Sequence, residues 1–183
     1  ATGTGGHIFP AIAVARAIEE RLKIISRNIK LEIIFLGTGR DLERKIIGES
    51  GYPMHVIPIS GLKGRGIRGL LSFIFKLPKA IWVALKLFAR FKPQLVIGVG
   101  GYGSFLPVTL ARLKNIPTWI HEAELHPGTA NMVLAYYATK VSVAFEDTKF
   151  GNRSLEFTGH PLKPEIKNIQ ARAGRLAPTK LLV

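Results

Sequence analysis

The chain has 183 residues, 47% hydrophobic and 21% charged, with a formal net charge of +14 at pH 7 and no cysteine. This length and apolar content suit one α/β domain with a real core and exclude an intrinsically disordered chain. Disulfides and thiolate metal sites are excluded, and no run of about 18 uncharged apolar residues is present to form a transmembrane helix. The charge is uneven. Between Ser50 and His121 there is no Asp or Glu, while Lys63, Arg65, Arg68, Lys76, Lys79, Lys86, Arg90, Lys92, Arg112 and Lys114 all fall there. A one-sign field of this size implies an anionic partner, whether nucleic acid, phosphorylated substrate or anionic lipid.

The chain opens on a glycine-rich loop, a histidine and a proline that lead into a helix. Gly3, Gly5 and Gly6 permit close approach to the backbone, Pro10 suits a first helical turn, and residues 11–22 keep helical apolar spacing. Free N–H groups at such a start attract an anion, and His7 beside them suits a general base or a phosphate donor. A capping histidine in a tight strand–helix turn is the alternative. Further strands are expected at 31–36, 54–59, 94–99, 118–121, 140–144 and 155–158. His55, inside the apolar run 54–59, reads as a structural histidine. Helices are expected at 41–50, 70–91, 104–114 and 127–138, with Pro78 marking a break or a new start in the second.

This alternation predicts an α/β fold: a mostly parallel, Rossmann-like sheet with helices on both faces. Ligands of such sheets bind at the carboxyl ends of the strands, where the segments 3–7, 37–39, 98–103 and 121–124 should gather. A glycine-rich loop that opens a helix normally follows an apolar strand, so the fold's first strand is expected ahead of Ala1. One domain is expected over residues 1–163. Residues 164–183 read as a polar linker and the start of a further domain.

Gly98, Gly100 and Gly103 fit G-x-G-x-x-G between a strand and a helix, and Glu122 falls close to the offset of about 20 residues expected for a ribose-binding acid. Read alone, this suggests an NAD-binding oxidoreductase domain. A phosphate- or sugar-facing loop fits equally well, with Tyr102 offering a hydroxyl or a stacking face. His121-Glu122-Ala123-Glu124 places polar groups just beyond a strand, suited to sugar hydroxyls or to raising the pKa of a neighbouring histidine. His121 and His126 share no helical face, so a metal site is not expected. Residues 70–91 carry more apolar side chains than one buried stripe needs. Phe73, Ile74, Phe75, Leu77, Ile81 and Trp82, flanked by Lys76 and Lys79, read as a membrane-surface element, with core packing as the plain alternative. A basic nucleic-acid-binding module competes on charge alone, without an RNA- or DNA-binding signature.

Several motifs in register resemble the N-terminal half of the MurG family of N-acetylglucosaminyltransferases. They are Thr4-Gly5-Gly6-His7-Ile8-Phe9-Pro10, Ile59-Ser60-Gly61-Leu62-Lys63-Gly64-Arg65-Gly66, Lys92-Pro93, Gly98-Val99-Gly100-Gly101-Tyr102, Ile116-Pro117 with His121-Glu122, and Gly159-His160-Pro161. The resemblance implies the N-terminal, acceptor-binding domain of a two-domain GT-B fold, with the donor domain beyond it. It implies inverting transfer of N-acetylglucosamine from UDP-N-acetylglucosamine to the 4-hydroxyl of undecaprenyl-pyrophosphoryl-N-acetylmuramyl-pentapeptide in peptidoglycan synthesis. It implies no metal and no cofactor, a peripheral place on the cytoplasmic face of the bacterial inner membrane with its anionic surface as partner, and no nucleic acid. His7 matches the histidine placed near the reaction centre and Glu122 a polar residue needed for activity. Gly100, Gly101 and Tyr102 match a loop suited to the acceptor pyrophosphate, and Thr4, Gly5 and Gly6 a segment that reaches the donor. Two positions depart from the family pattern. Glu124 stands where an amide is usual, and Lys163 stands where an arginine is usual and so loses the planar fork.

Overall fold

The computed structural model describes residues 5–25, 30–59, 66–151 and 154–162, and along 66–73 it gives the course of the helix alone. In chain order the elements are α1 (Gly5–Ile25), β1 (Phe35–Gly37), α2 (Asp41–Glu49), β2 (Met54–Val56), α3 (Gly66–Phe91), β3 (Val96–Gly98), α4 (Tyr102–Leu113), β4 (Thr118–Glu122), α5 (Thr129–Ala135), β5 (Lys140–Val143) and β6 (Glu156–Phe157). Every ladder is parallel: β1 pairs with β2, and β3, β4, β5 and β6 pair in that order. The expected α/β alternation is therefore present, with shorter strands. Thr4, Lys163 and the linker expected over 164–183 lie outside the described residues.

Three apolar clusters hold the helices to the ladders. Ile8, Ile12 and Ala15 form the buried stripe of α1 and meet Phe35 of β1 and Ile47 of α2. Ala80, Ala84 and Phe88, each four residues from the last, form the buried stripe of α3 against Ile57, Leu106 and Leu110. Val108 of α4, Leu134 of α5 and Ile120, Val141 and Val143 of the strands form the third cluster. The alternation of β4 that turns Ile120 and Glu122 to one face turns Trp119 and His121 to the other.

The two ladders do not pair with each other. Between β1 and β3 lies a mostly apolar cavity of about 280 Å³, walled by residues 31–36 and 93–97 and by Val14, Ile18, Leu87 and Pro107 of the helices.

Two proline expectations are corrected. Pro10 lies inside α1, which begins at Gly5, and Pro78 lies inside an unbroken α3. Each proline removes one helical hydrogen bond, but Pro10 is buried beside Ile8 and Ile12, and Pro78 is exposed two residues before the packed Ala80. Tertiary packing holds both helices through the interruption. His55 is also corrected. It is exposed on β2, which pairs with β1 alone.

The loop after β1 is closed by its own helix. Glu43 is fully buried, and its Oε2 accepts hydrogen bonds from the backbone N–H groups of Thr38, Gly39 and Arg40 at 2.7, 2.9 and 3.3 Å. The Thr38 hydroxyl donates to the same carboxylate. The donors that the glycine loop at 37–39 would offer an anion are already taken by a carboxylate from the first turn of α2.

Candidate functional site

Three segments converge at the carboxyl ends of β3 and β4: the first turn of α1, the glycine loop before α4 and the loop after β4. His7 is the third residue of α1 and is half-buried. Its ring lies against Gly100, where a Cβ would come within 2.9 Å of both Nδ1 and Cε1. Gly100 and Gly101 adopt φ values of +94° and +76°, and Gly101, with ψ of 161°, occupies a region open essentially to glycine alone. The loop is held from below by Ser104, whose hydroxyl donates to the Gly100 carbonyl at 2.6 Å. Gly98 serves packing, since a Cβ there would meet Val108 at 3.1 Å. Tyr102 opens α4 and is exposed, so its ring and hydroxyl are free to meet a ligand over the loop.

Glu122 does not face solvent. It is 2% exposed, and its carboxylate accepts hydrogen bonds from the backbone N–H of Glu124 and Gly128 and from Asn131 Nδ2, each at 3.0 Å. Burial of a carboxylate is tolerated because these three donors replace its water. The expected contact of Glu122 with substrate is thus replaced by an internal one: it folds the loop 123–128 back onto the start of α5. The same bonds engage the carboxylate that a ribose would need, which removes one support of the NAD reading. Glu124, by contrast, carries its side chain on the exposed side of that loop.

On the opposite face of β4 is a second polar cluster. Trp119 Nε1–H donates to Ser142 Oγ at 2.8 Å, and His121 Nδ1 lies 2.9 Å from the same oxygen. The indole only donates, so Ser142 Oγ accepts from it and shares one further hydrogen bond with His121 Nδ1, in which either atom can be the donor. Burial, and secondly the charge of His160, lower the His121 pKa from 6.5 to about 4. Rather than being charged by a neighbouring carboxylate, His121 is held neutral, because the pleat turns Glu122 away from it.

Of the residues expected at the site, His7, Gly100, Gly101, Tyr102 and the 122–124 turn come together, with Gly5 and Gly6 at the start of α1 beside them. Asn131, Ser104 and Ser142 were not expected. Asn131 occupies a place on the buried stripe shared with Leu134, Ala135 and Ala138 and is 1% exposed. A polar residue at an apolar-stripe position was the available signal. Among the described residues no group of three or more His, Asp or Glu is placed to hold a metal.

The His121 environment fixes a pH dependence. Between about pH 6.5 and 4 the unfolded chain binds a proton that the folded chain refuses, so this contribution to stability is full above pH 6.5 and falls as pH drops through that window. The His121 ring resonances should not titrate between about pH 8 and 5.5 by NMR, and melting temperature should fall from pH 7 to 5. A ring that titrates near 6.5 contradicts the buried, neutral assignment.

Comparison with known proteins identifies the family. The glycosyltransferase family 28 N-terminal domain matches residues 1–143. A relative from Myxococcus xanthus, named UDP-N-acetylglucosamine--N-acetylmuramyl-(pentapeptide) pyrophosphoryl-undecaprenol N-acetylglucosamine transferase, is 36% identical over 173 residues, covering 93% of this chain and 44% of the relative. A protein of the same name from Pseudomonas syringae pv. tomato is 39% identical over 186 residues, covering all of this chain and 49% of the relative. The crystal structure of Acinetobacter baumannii MurG superposes with a TM-score of 0.70 at 32% identity, over 93% of this chain and 48% of that one. The chain thus spans about half the length of the curated relatives it matches. Matched by the family domain over most of its length, the chain belongs to glycosyltransferase family 28, as the N-terminal domain of that family.

Proposed function

We propose that this chain is the acceptor- and membrane-binding half of an N-acetylglucosaminyltransferase of peptidoglycan synthesis. The reaction is transfer from UDP-N-acetylglucosamine to the 4-hydroxyl of an undecaprenyl-pyrophosphoryl-N-acetylmuramyl-pentapeptide. The observation that carries this reading is the His7 ring laid against the Gly100–Gly101 loop at the sheet's carboxyl edge. A potential base and a loop able to present backbone N–H groups to a pyrophosphate are thereby brought together. Family membership and the names of the relatives support the same substrates.

In this reading the acceptor pyrophosphate lies over Gly100, Gly101 and Tyr102, and its 4-hydroxyl is turned toward His7. His7 takes the hydroxyl proton as the oxygen attacks the anomeric carbon. The bond from that carbon to UDP breaks, UDP leaves with the bonding electrons, and the configuration inverts. In the same reading Thr4, Gly5 and Gly6 contribute to donor binding. Glu122 shapes the loop 123–128 rather than touching the sugar, and Glu124 offers a carboxylate from that loop's exposed side.

The membrane part of the proposal rests on α3. Its packed stripe is made of small residues, Ala80 and Ala84, with Phe88 beyond them, while Ile74, Phe75 and Trp82 are 52%, 80% and 56% exposed. Lys76, Lys79 and Lys86 are exposed among them, and the Lys86 ammonium lies 3.6 Å from the centre of the Trp82 ring. Leu77 and Ile81 are only half-buried, and Ile81 also packs on the core; Phe73 lies where no side chain is described. Among the described residues no helix is long and apolar enough to cross a membrane. The exposed aromatic and aliphatic groups ringed by lysines support a surface-lying helix on an anionic leaflet, and in this reading the protein is peripheral, on the cytoplasmic face of the membrane.

Two experiments test these parts separately. In a protein carrying both halves, His7→Ala should reduce turnover about 10²–10⁴-fold with little change in melting temperature, as expected for loss of a general base. Near-normal turnover would leave His7 with a structural role only. For the membrane face, the 183-residue chain should sediment with phosphatidylglycerol-containing vesicles at low salt. Lys76→Glu with Lys79→Glu should weaken that binding at least about tenfold, since each cation near such a surface is worth about 1 kcal/mol. Indifference to vesicles together with tight, salt-sensitive binding to duplex DNA would favour the nucleic-acid reading instead.

A further inference from the structure

Three buried polar side-chain atoms find no hydrogen-bond partner among the described residues, and two of them, His7 Nδ1 and Asn131 Oδ1, belong to side chains that both approach Gly100, the first through Nδ1 itself and the second through its amide nitrogen. The third, His121 Nε2, lies on the other face of β4. Orphaned buried groups are costly, and two on side chains that meet at one glycine call for a common explanation. The hydrogen-bond count around Asn131 supplies it. Its amide nitrogen has two hydrogens, and both have acceptors: Glu122 Oε2 at 3.0 Å and the His121 carbonyl at 3.3 Å. Neither acceptor can donate in return, so the amide cannot be turned over without placing oxygen against oxygen. Asn131 therefore has no donor left, and what remains free is an acceptor. A neutral imidazole brought against such an acceptor at Nδ1 must carry its proton there.

We propose that Asn131 is a positioning residue for His7: when the ring closes the gap that leaves both atoms unpaired in this structure, Oδ1 accepts the Nδ1–H proton of His7 and so holds the lone pair on Nε2. The buried chain Glu122–Asn131–His7 then runs from a carboxylate through a fixed amide to a ring whose outer nitrogen is ready to take a proton. Gly100 is required for this arrangement as well as for its own backbone angles, because a Cβ would push into the Nδ1–Cε1 edge of the ring. The proposal rests on the reading of His7 as the base, and its decisive test does not.

The test is the tautomer of His7 in the chain itself, read from long-range ¹H–¹⁵N correlations of the imidazole at neutral pH. The wild-type ring should be in the Nδ1–H form. Asn131→Ala should release it to the Nε2–H form or to a mixture. Asn131→Asp should keep the proton on Nδ1, because a carboxyl oxygen still accepts there while the protonated oxygen donates toward Glu122. A wild-type ring in the Nε2–H form overturns the proposal, and that result does not depend on any variant folding. A ring unmoved by Asn131→Ala in a well-dispersed spectrum overturns it too. In a protein carrying both halves, Asn131→Ala should lower kcat about 10- to 100-fold with the donor KM held, partly rescued by Asn131→Asp. A tautomer that shifts without any change in kcat would retire the base reading while leaving the positioning contact in place.

Discussion

Both oxygens of the Glu122 carboxylate are engaged beneath the carboxyl edge of the sheet, by the N–H groups of Glu124 and Gly128 and by the Asn131 amide. The rest of the site depends on this contact. It shortens the turn after β4, fixes where α5 begins and pins the amide that faces Gly100. A buried carboxylate that lost these donors would be strongly unfavourable, so the loop, the helix start and the glycine turn are ordered together. Two carboxylates organise the two glycine turns differently. Glu43 fills the donors of the turn after β1 from within, whereas Glu122 lies under its neighbour and leaves the Gly100–Gly101 backbone facing outward. Of the two turns only the second remains open to an anion.

The fold explains why α3 keeps its bulky residues on the outward face. The packed side of α3 is built of alanines at four-residue spacing, and these bring the helix close to Leu106 and Leu110 without using its bulky residues. The bulk is turned outward, where Phe75 and Trp82 stand among lysines in a segment without acids. A lipid-linked acceptor cannot leave its bilayer, so an enzyme with a soluble donor and such an acceptor needs an apolar, cationic rim near the cleft.

Much of this was legible in the sequence. The βα alternation, the glycine turns and the acid-free stretch follow from local spacing, and local spacing is what a single sequence carries best. Pro10 and Pro78 misled because the rule that proline ends a helix is local, whereas Ile8, Ile12, Ala80 and Ala84 hold their helices by tertiary contact. His55 looked internal because its neighbours are apolar, and only the pairing of β2 with β1 alone shows otherwise. Glu122 was read as facing substrate, since its partners at Gly128 and Asn131 are six and nine residues away and become neighbours only once β4 turns into α5. His121 and Ser142 meet across 21 residues, a separation that no motif spans. The outward face of α3 was readable as a surplus of apolar residues, but which of them face outward was set by the packing of the alanines.

The central claim is that the Gly100–Gly101 turn, backed by His7, receives the acceptor pyrophosphate. The most direct measurement is amide and imidazole chemical-shift mapping of this chain titrated with a short-chain, soluble acceptor analogue bearing the pyrophosphate. The account predicts saturable shifts at Gly100, Gly101 and Tyr102 and on the His7 ring, with the 37–40 turn unmoved because Glu43 already holds its donors. Shifts confined to the 37–40 turn or to α3, with Gly100, Gly101 and His7 unchanged, would contradict it.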